Sequence, residues 1–257
     1  MLRALLERDI GPDLVLGTSV GALNGALIAA DPTPNVVERL VELWHSASAG
    51  REIYGDSPMR QAARALRTGT HLHSAVPLRE RIRLELGDRT FDDLAVPFQC
   101  CAASIERATE HWFSSGSVVD AVVASAAVPG LMPPAKVGDE HFLDGGIVNS
   151  IPLDRAVQLG ADRIFVLQVG RVDKPLAVPT RPWDVARVSF EIARRHRYVR
   201  ELAEVPPSVE VHVLPTGSAE VEQDSFLAYR NFAAVGRRIE QAHAASLDYL
   251  DRIQEMT

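Results

Sequence analysis

No stretch constrains the fold more than Leu14-Val15-Leu16-Gly17-Thr18-Ser19-Val20-Gly21-Ala22-Leu23-Asn24-Gly25. An apolar run stops at Gly17 and a helix-period run starts just after Ser19, so a strand passes into a helix within a few residues. Gly17-x-Ser19-x-Gly21 at such a junction has the pattern of a nucleophile elbow, a tight turn that pushes the serine hydroxyl outward. A Cβ two residues before or after the serine is expected to collide with the crossing backbone, so Gly17 and Gly21 are both read as required glycines. Ser19 would then stand at a helix N-terminus, where the free Val20 N–H and the macrodipole favour a developing negative charge. Gly25, one turn on from Gly21, is expected to leave a helix face bare for close packing. The same residues also fit an ordinary strand-to-helix turn in which Ser19 is only the N-cap.

The rest of the chain reads as alternating helices and strands. Met1 to Asp9 reads as a helix with Leu2, Leu5 and Leu6 on one face, and Asp31-Pro32 stops the helix that begins at the serine. Asn35 with Glu38 resembles a capping box for a helix through His45. Residues 49–75, punctuated by Gly50, Gly55, Pro58 and Gly69, form a lid or a surface excursion with a basic helix near Pro58 to Arg67. Pro77 to Leu86 is a second basic helix. Val96 to Ala103 is a strand with Glu110 to Phe113 as hairpin partner, and Val118 to Val128 is a helix of small residues. Short strands follow at Ala135 to Val137 and His141 to Leu143, then a helix opened by Pro152. Arg163 to Val169 is a buried strand and Arg171 to Pro182 a proline-rich loop. Trp183 to Glu204 is a long helix whose arginines 194, 195, 197 and 200 are read as a solvated face, with binding of a phosphate headgroup as the other reading. Val209 to Leu214 is a last strand, and Asp224 to Ile253 a closing helix broken near Gly236. Buried strands alternating with helices predict a largely parallel sheet covered on both faces. No boundary is visible, so the 257 residues are read as a single domain.

Formal net charge is −7, which argues against nucleic acid as a partner and confines any membrane contact to a local surface. The two cysteines, Cys100 and Cys101, are neighbours in a strand and point to opposite faces, so they are read as reduced, buried thiols of a cytoplasmic protein. His71-x-His73 lacks further ligands and reads as a polar loop; no metal and no cofactor is expected. No leader or membrane span is legible, because the Gly-x-Ser-x-Gly turn and Asn24 interrupt the apolar stretch from Leu14 to Ala30.

Asp144-Gly145-Gly146 closes a strand, and its two glycines permit a sharp turn. Asp at such a place either bonds its own backbone or faces a group brought by another strand end. With it, three blocks resemble one family: Gly17-Thr18-Ser19-Val20-Gly21-Ala22; Ala124-Ser125-Ala126-Ala127-Val128-Pro129-Gly130 with Pro133-Pro134; and Asp144-Gly145-Gly146-Ile147-Val148-Asn149-Ser150-Ile151-Pro152. In order and spacing they resemble the patatin-like phospholipase family in its small bacterial form. The resemblance implies a three-layer α/β/α fold with a mostly parallel central sheet. It also implies hydrolysis of lipid or phospholipid acyl esters through a Ser–Asp dyad and an acyl-enzyme. Ser19 would be the nucleophile and Asp144 its base, with the Val20 amide, Gly17, Gly21, Gly145 and Gly146 supporting the oxyanion and the turns. Leu23, Val128, Pro129, Leu131 and Met132 are the expected pocket. The implied partner is a lipid or acyl-ester substrate, met by transient contact of a peripheral protein with a membrane surface.

In the family a strand and a glycine-rich loop precede the first helix and supply oxyanion amides; Met1 falls where that helix is already under way. A start placed too late, a truncated piece, or natural loss would each explain this, and impaired activity is the corresponding expectation. A non-catalytic regulator or lipid-binding protein on the same scaffold is the alternative. An α/β-hydrolase triad would instead need His196, His212 or His243, and the elbow at residue 19 leaves too little chain upstream for that fold.

Overall fold

Two strands end against each other along one edge of a third, and this places the site. The computed structural model describes residues 1–49, 57–168, 175–217 and 232–255. The start of the lid region, the end of the strand expected to reach Val169, and the first turns of the helix expected from Asp224 lie outside the described residues.

After α1 (Leu2–Leu6), β1 (Val15–Thr18) runs parallel to β2 (Phe98–Ser104), with Gly17 opposite Cys100 and Thr18 opposite Cys101. β3 (Thr109–Phe113) takes the other edge of β2 as its hairpin partner. β5 (Glu140–Asp144) returns antiparallel on the same edge as β1, with Asp144 opposite Ala102, and β4 (Ala135–Val137) pairs outside it. β6 (Arg163–Val166) and β7 (Glu210–Val213) form a separate parallel pair. The three-layer arrangement holds, but the sheet is mixed. Among the described strands, parallel pairing occurs in β1–β2 and β6–β7; the β2–β3 and β4–β5 connections are too short for anything but antiparallel neighbours, and β5 also returns antiparallel to β2.

Side-chain alternation along β2 separates the layers. Phe98, Cys100 and Ala102 face the main apolar core. Over that core lie α2 (Val20–Ala30), α3 (Asn35–Ala49), α5 (Val76–Leu86) and α6 (Val118–Ser125). On the opposite face Gln99 accepts hydrogen bonds from Arg155 of α7 (Leu153–Gln158), which packs beside α8 (Pro182–Glu204). β6 and β7 alternate likewise. Val166, Ile164, Val211 and Val213 join Leu153 and Tyr198, whereas Phe165 turns to the cluster that α1 makes with α9 (Phe232–Glu255). Both cysteines are buried free thiols.

Several expectations are corrected. α6 ends at Ser125, three residues early, where the chain must bend to deliver the Pro129-Gly130 turn. α9 runs unbroken through Gly236. His73 lies in a loop as expected, but it is buried there, its N–H bonded to the Leu131 carbonyl at 2.8 Å. The arginine run on α8 is solvated only at Arg200. Arg194 and Arg195 pair with Glu191, and Arg197 is enclosed by Glu110, Asp154 and Glu201.

Candidate active site

β1 and β5 approach head-on along β2, and both must leave the sheet between Cys101 and Ala102. What they carry at that point is Ser19 and Asp144. The Ser19 hydroxyl donates to Asp144 Oδ2 at 2.5 Å, across 125 residues of sequence. Ser19 is the N-cap of α2 with φ 56° and ψ −118°, a backbone conformation that costs a non-glycine residue about 1–3 kcal/mol.

Three contacts hold this turn. Ser19 N–H donates to Ser125 Oγ at 2.9 Å, and the Ser125 hydroxyl donates to the Cys101 carbonyl at 2.6 Å. One step before, Thr18 Oγ1 donates to the Asn149 carbonyl at 2.8 Å. Ser125 is fully buried and was given no role by its sequence. It lies in a block of small residues whose pattern signals packing, and a single side chain bonding a distant backbone leaves no periodicity to read.

The glycines divide in two. A Cβ on Gly17 would lie 2.3 Å from the Gly21 carbonyl oxygen, and one on Gly145 would lie 2.2 Å from the Cys101 carbonyl oxygen. A Cβ on Gly146 would come within 2.8 Å of the Phe190 ring from α8. Gly21, however, has open space where its Cβ would be, so the expected collision there is corrected: the residue lies on the exposed side of the first turn of α2. Gly25 packs as expected, against Phe98 and Val15.

Asp144 is 1% exposed. Burial pushes its carboxyl up to about 6, against the opposing pull of the Ser19 hydroxyl and the Gly146 N–H, which donates to Oδ1 at 2.7 Å. It is thus ionised at neutral pH but much more basic than an ordinary aspartate. Val20 and Gly21 open α2 ahead of its first intrahelical bond, from Ala22 N–H to the Ser19 carbonyl, so their amides carry the positive end of the helix.

The residues expected to form the pocket differ in exposure. Leu23 and Met132 are buried members of the main core, Val128 and Leu131 are half-buried, and Pro129 is exposed. An open cavity of about 410 Å³ lies elsewhere, lined by residues that include Ile147, Val148, Thr109 and Arg200. Two of the three histidines a triad could use have other partners. His212 Nδ1 is 3.2 Å from the Tyr249 hydroxyl, His243 Nε2 is 2.7 Å from Glu7, and His196 lines that same cavity.

The molecule is thus an α/β/α protein with a hydroxyl and a basic carboxylate meeting where two strands end. Its sequence matches the patatin-like phospholipase family over residues 1–157. It is 31% identical over 180 residues to a patatin-like phospholipase domain-containing protein of Caenorhabditis elegans, covering 68% of this chain and 12% of that one. It is 31% identical over 175 residues to lysophospholipase nte1 of Aspergillus terreus, covering 67% and 11%. Identity to neuropathy target esterase sws of Drosophila melanogaster is 30% over 175 residues, covering 67% and 12%. The chain belongs to the patatin-like phospholipase family, and it spans roughly an eighth of the length of these relatives.

Proposed function

We propose that this chain is a serine acyl hydrolase acting on lipid or phospholipid acyl esters through Ser19 and Asp144. The observation that carries the reading is the direct bond from the Ser19 hydroxyl to a buried carboxylate, with no histidine between them. A serine hydroxyl is a weak nucleophile until a base takes its proton, and a carboxylate raised to about 6 is a stronger base than usual yet still ionised at neutral pH.

In the reaction Asp144 takes the Oγ proton as Oγ attacks the acyl carbonyl carbon. The carbonyl oxygen becomes an oxyanion beside the Val20 amide at the start of α2. Collapse breaks the ester C–O bond, and Asp144 hands its proton to the leaving alcohol. A water then gives a proton to Asp144 and attacks the acyl-enzyme, releasing the fatty acid and restoring Ser19. The strain at Ser19, held by Ser125 and Thr18, keeps the hydroxyl aimed at its base, and the turn serves as a nucleophile elbow. The names of the lysophospholipase and esterase relatives favour the same substrate class.

A fluorophosphonate probe and a short-chain ester test this together. The native protein is expected to label at Ser19 and to hydrolyse the ester, and Ser19→Ala to do neither. Labelling that persists in Ser19→Ala contradicts the assignment.

A further inference from the structure

Helix α4 (Pro58–Thr68) is turned inside out. It is a well-bounded helix: Ser57 Oγ accepts from the Arg60 N–H, Pro58 opens the first turn, and Gly69 closes it in the left-handed conformation at φ 71°. Met59, Ala62, Ala63 and Leu66 fall on one face at the helical spacing, within an arc of about 100°. A surface helix ordinarily buries such a face. Here Met59 is 82% exposed and Leu66 89%, and both alanines between them are exposed as well. Gln61, Arg64, Ala65 and Thr68 are the half-buried side, with Arg64 Nη1 donating to the Leu72 carbonyl at 3.1 Å. Arg60 and Arg67 border the apolar arc, and α4 contains no acidic residue in a chain whose net charge is −7.

From this geometry we propose that α4 is the element by which the protein docks on an anionic lipid surface. The apolar arc would enter the boundary between headgroups and acyl chains, and the bordering arginines would reach the phosphates. A second copy of the chain fits the face poorly, since a two-fold contact along α4 would bring Arg60 and Arg67 against their own symmetry mates. The face is also joined to the candidate active site by a short path. Beyond Gly69, the Leu72 N–H bonds the Gly130 carbonyl at 3.1 Å and the His73 N–H bonds that of Leu131 at 2.8 Å. Those carbonyls belong to the turn that follows Ser125, the residue holding Ser19. The inference deepens the lipid-hydrolase reading and draws its biological sense from it, but binding and hydrolysis are measured separately.

The test is sedimentation of the purified chain with phosphatidylcholine vesicles made with and without phosphatidylserine, beside hydrolysis of a soluble short-chain ester. The native protein is expected to bind the phosphatidylserine vesicles, and more weakly as salt rises. The double variant Met59→Ser/Leu66→Ser should lose about tenfold or more in vesicle binding. Arg60→Gln/Arg67→Gln should lose about fivefold per charge, and with it the preference for phosphatidylserine. Both should keep their circular dichroism and their hydrolysis of the soluble ester, while Ser19→Ala should bind vesicles like the native chain. Failure of the native protein to bind, or unchanged binding by the Met59/Leu66 variant, overturns the proposal. So does a native dimer that this variant dissociates without affecting vesicle binding. Vesicle binding without any ester hydrolysis would overturn the hydrolase reading alone, and hydrolysis without binding the docking proposal alone.

Discussion

Asp144 is held out of water by the Gly145-Gly146 turn and by Phe190 lying against Gly146, and its ionisation is correspondingly costly. A carboxyl whose folded value lies near 6 takes up its proton more readily folded than unfolded, so it favours the folded state below about 4 and loses that contribution as pH rises through about 6. Asp144→Asn keeps the Oδ1 acceptor for Gly146 and removes the charge. Thermal melts should therefore find the variant more stable than the native chain at pH 7.5, by about 2 kcal/mol, with the gap closing toward pH 4. An unchanged gap across that range would mean that the carboxylate is not destabilised by burial. Ser19 and Asp144, which the structure brings into contact, both stood out in the sequence, since Ser19 lies between two glycines and Asp144 is followed by two, each at a strand end. Ser125 and Thr18 were not, because a hydroxyl that bonds backbone more than a hundred residues away leaves no local trace.

At the scale of elements, register accounts for the site. β1 parallel and β5 antiparallel on one edge of β2 can only end by turning off where they meet, and Gly17 and Gly145 are small where those turns cross backbone. Gly145→Ala should destabilise the fold by about 2–4 kcal/mol in denaturant melts and lower ester hydrolysis, because the carbonyl of Cys101 cannot move without disturbing β2. Gly21→Ala should change stability by less than about 1 kcal/mol, since it meets open space and replaces a helical glycine. Equal damage from both would contradict the geometry. Helices and strands were largely legible from apolar periodicity and from proline and glycine stops. Pairing direction was not, because buried runs such as Phe98 to Ala103 look alike in parallel and antiparallel neighbours. The existence of α4 was legible too, but which of its faces the protein covers depends on contacts that periodicity does not contain.

At the scale of the whole molecule, Arg197 joins three elements. From α8 it reaches Glu110 on β3 and Asp154 on α7, each at 3.0 Å, and it pairs with the buried Glu201 one turn along. Burial raises the Glu201 carboxyl above the usual range, so without its arginine this group would be a buried acid with no counter-charge, held only by the Asp154 N–H at 3.3 Å. Arg197→Ala should cost about 3 kcal/mol at pH 7 by chemical denaturation, with the deficit shrinking as pH falls and Glu201 takes a proton. The sequence suggested a solvated arginine run because charge on a long helix usually faces water, and only the packing of α7 and β3 against α8 shows otherwise. That packing places α8, with Phe190, on the turn that carries Asp144. The most direct measurement is the rate of Ser19 acylation by a fluorophosphonate or short-chain ester, followed against pH in the native protein and in Asp144→Asn. The native rate should climb through pH of about 6 to a plateau. The variant should be slower by about 10²–10⁴ with no inflection in that range. Equal rates with the same pH profile in both would contradict the pairing of hydroxyl and carboxylate on which the account rests.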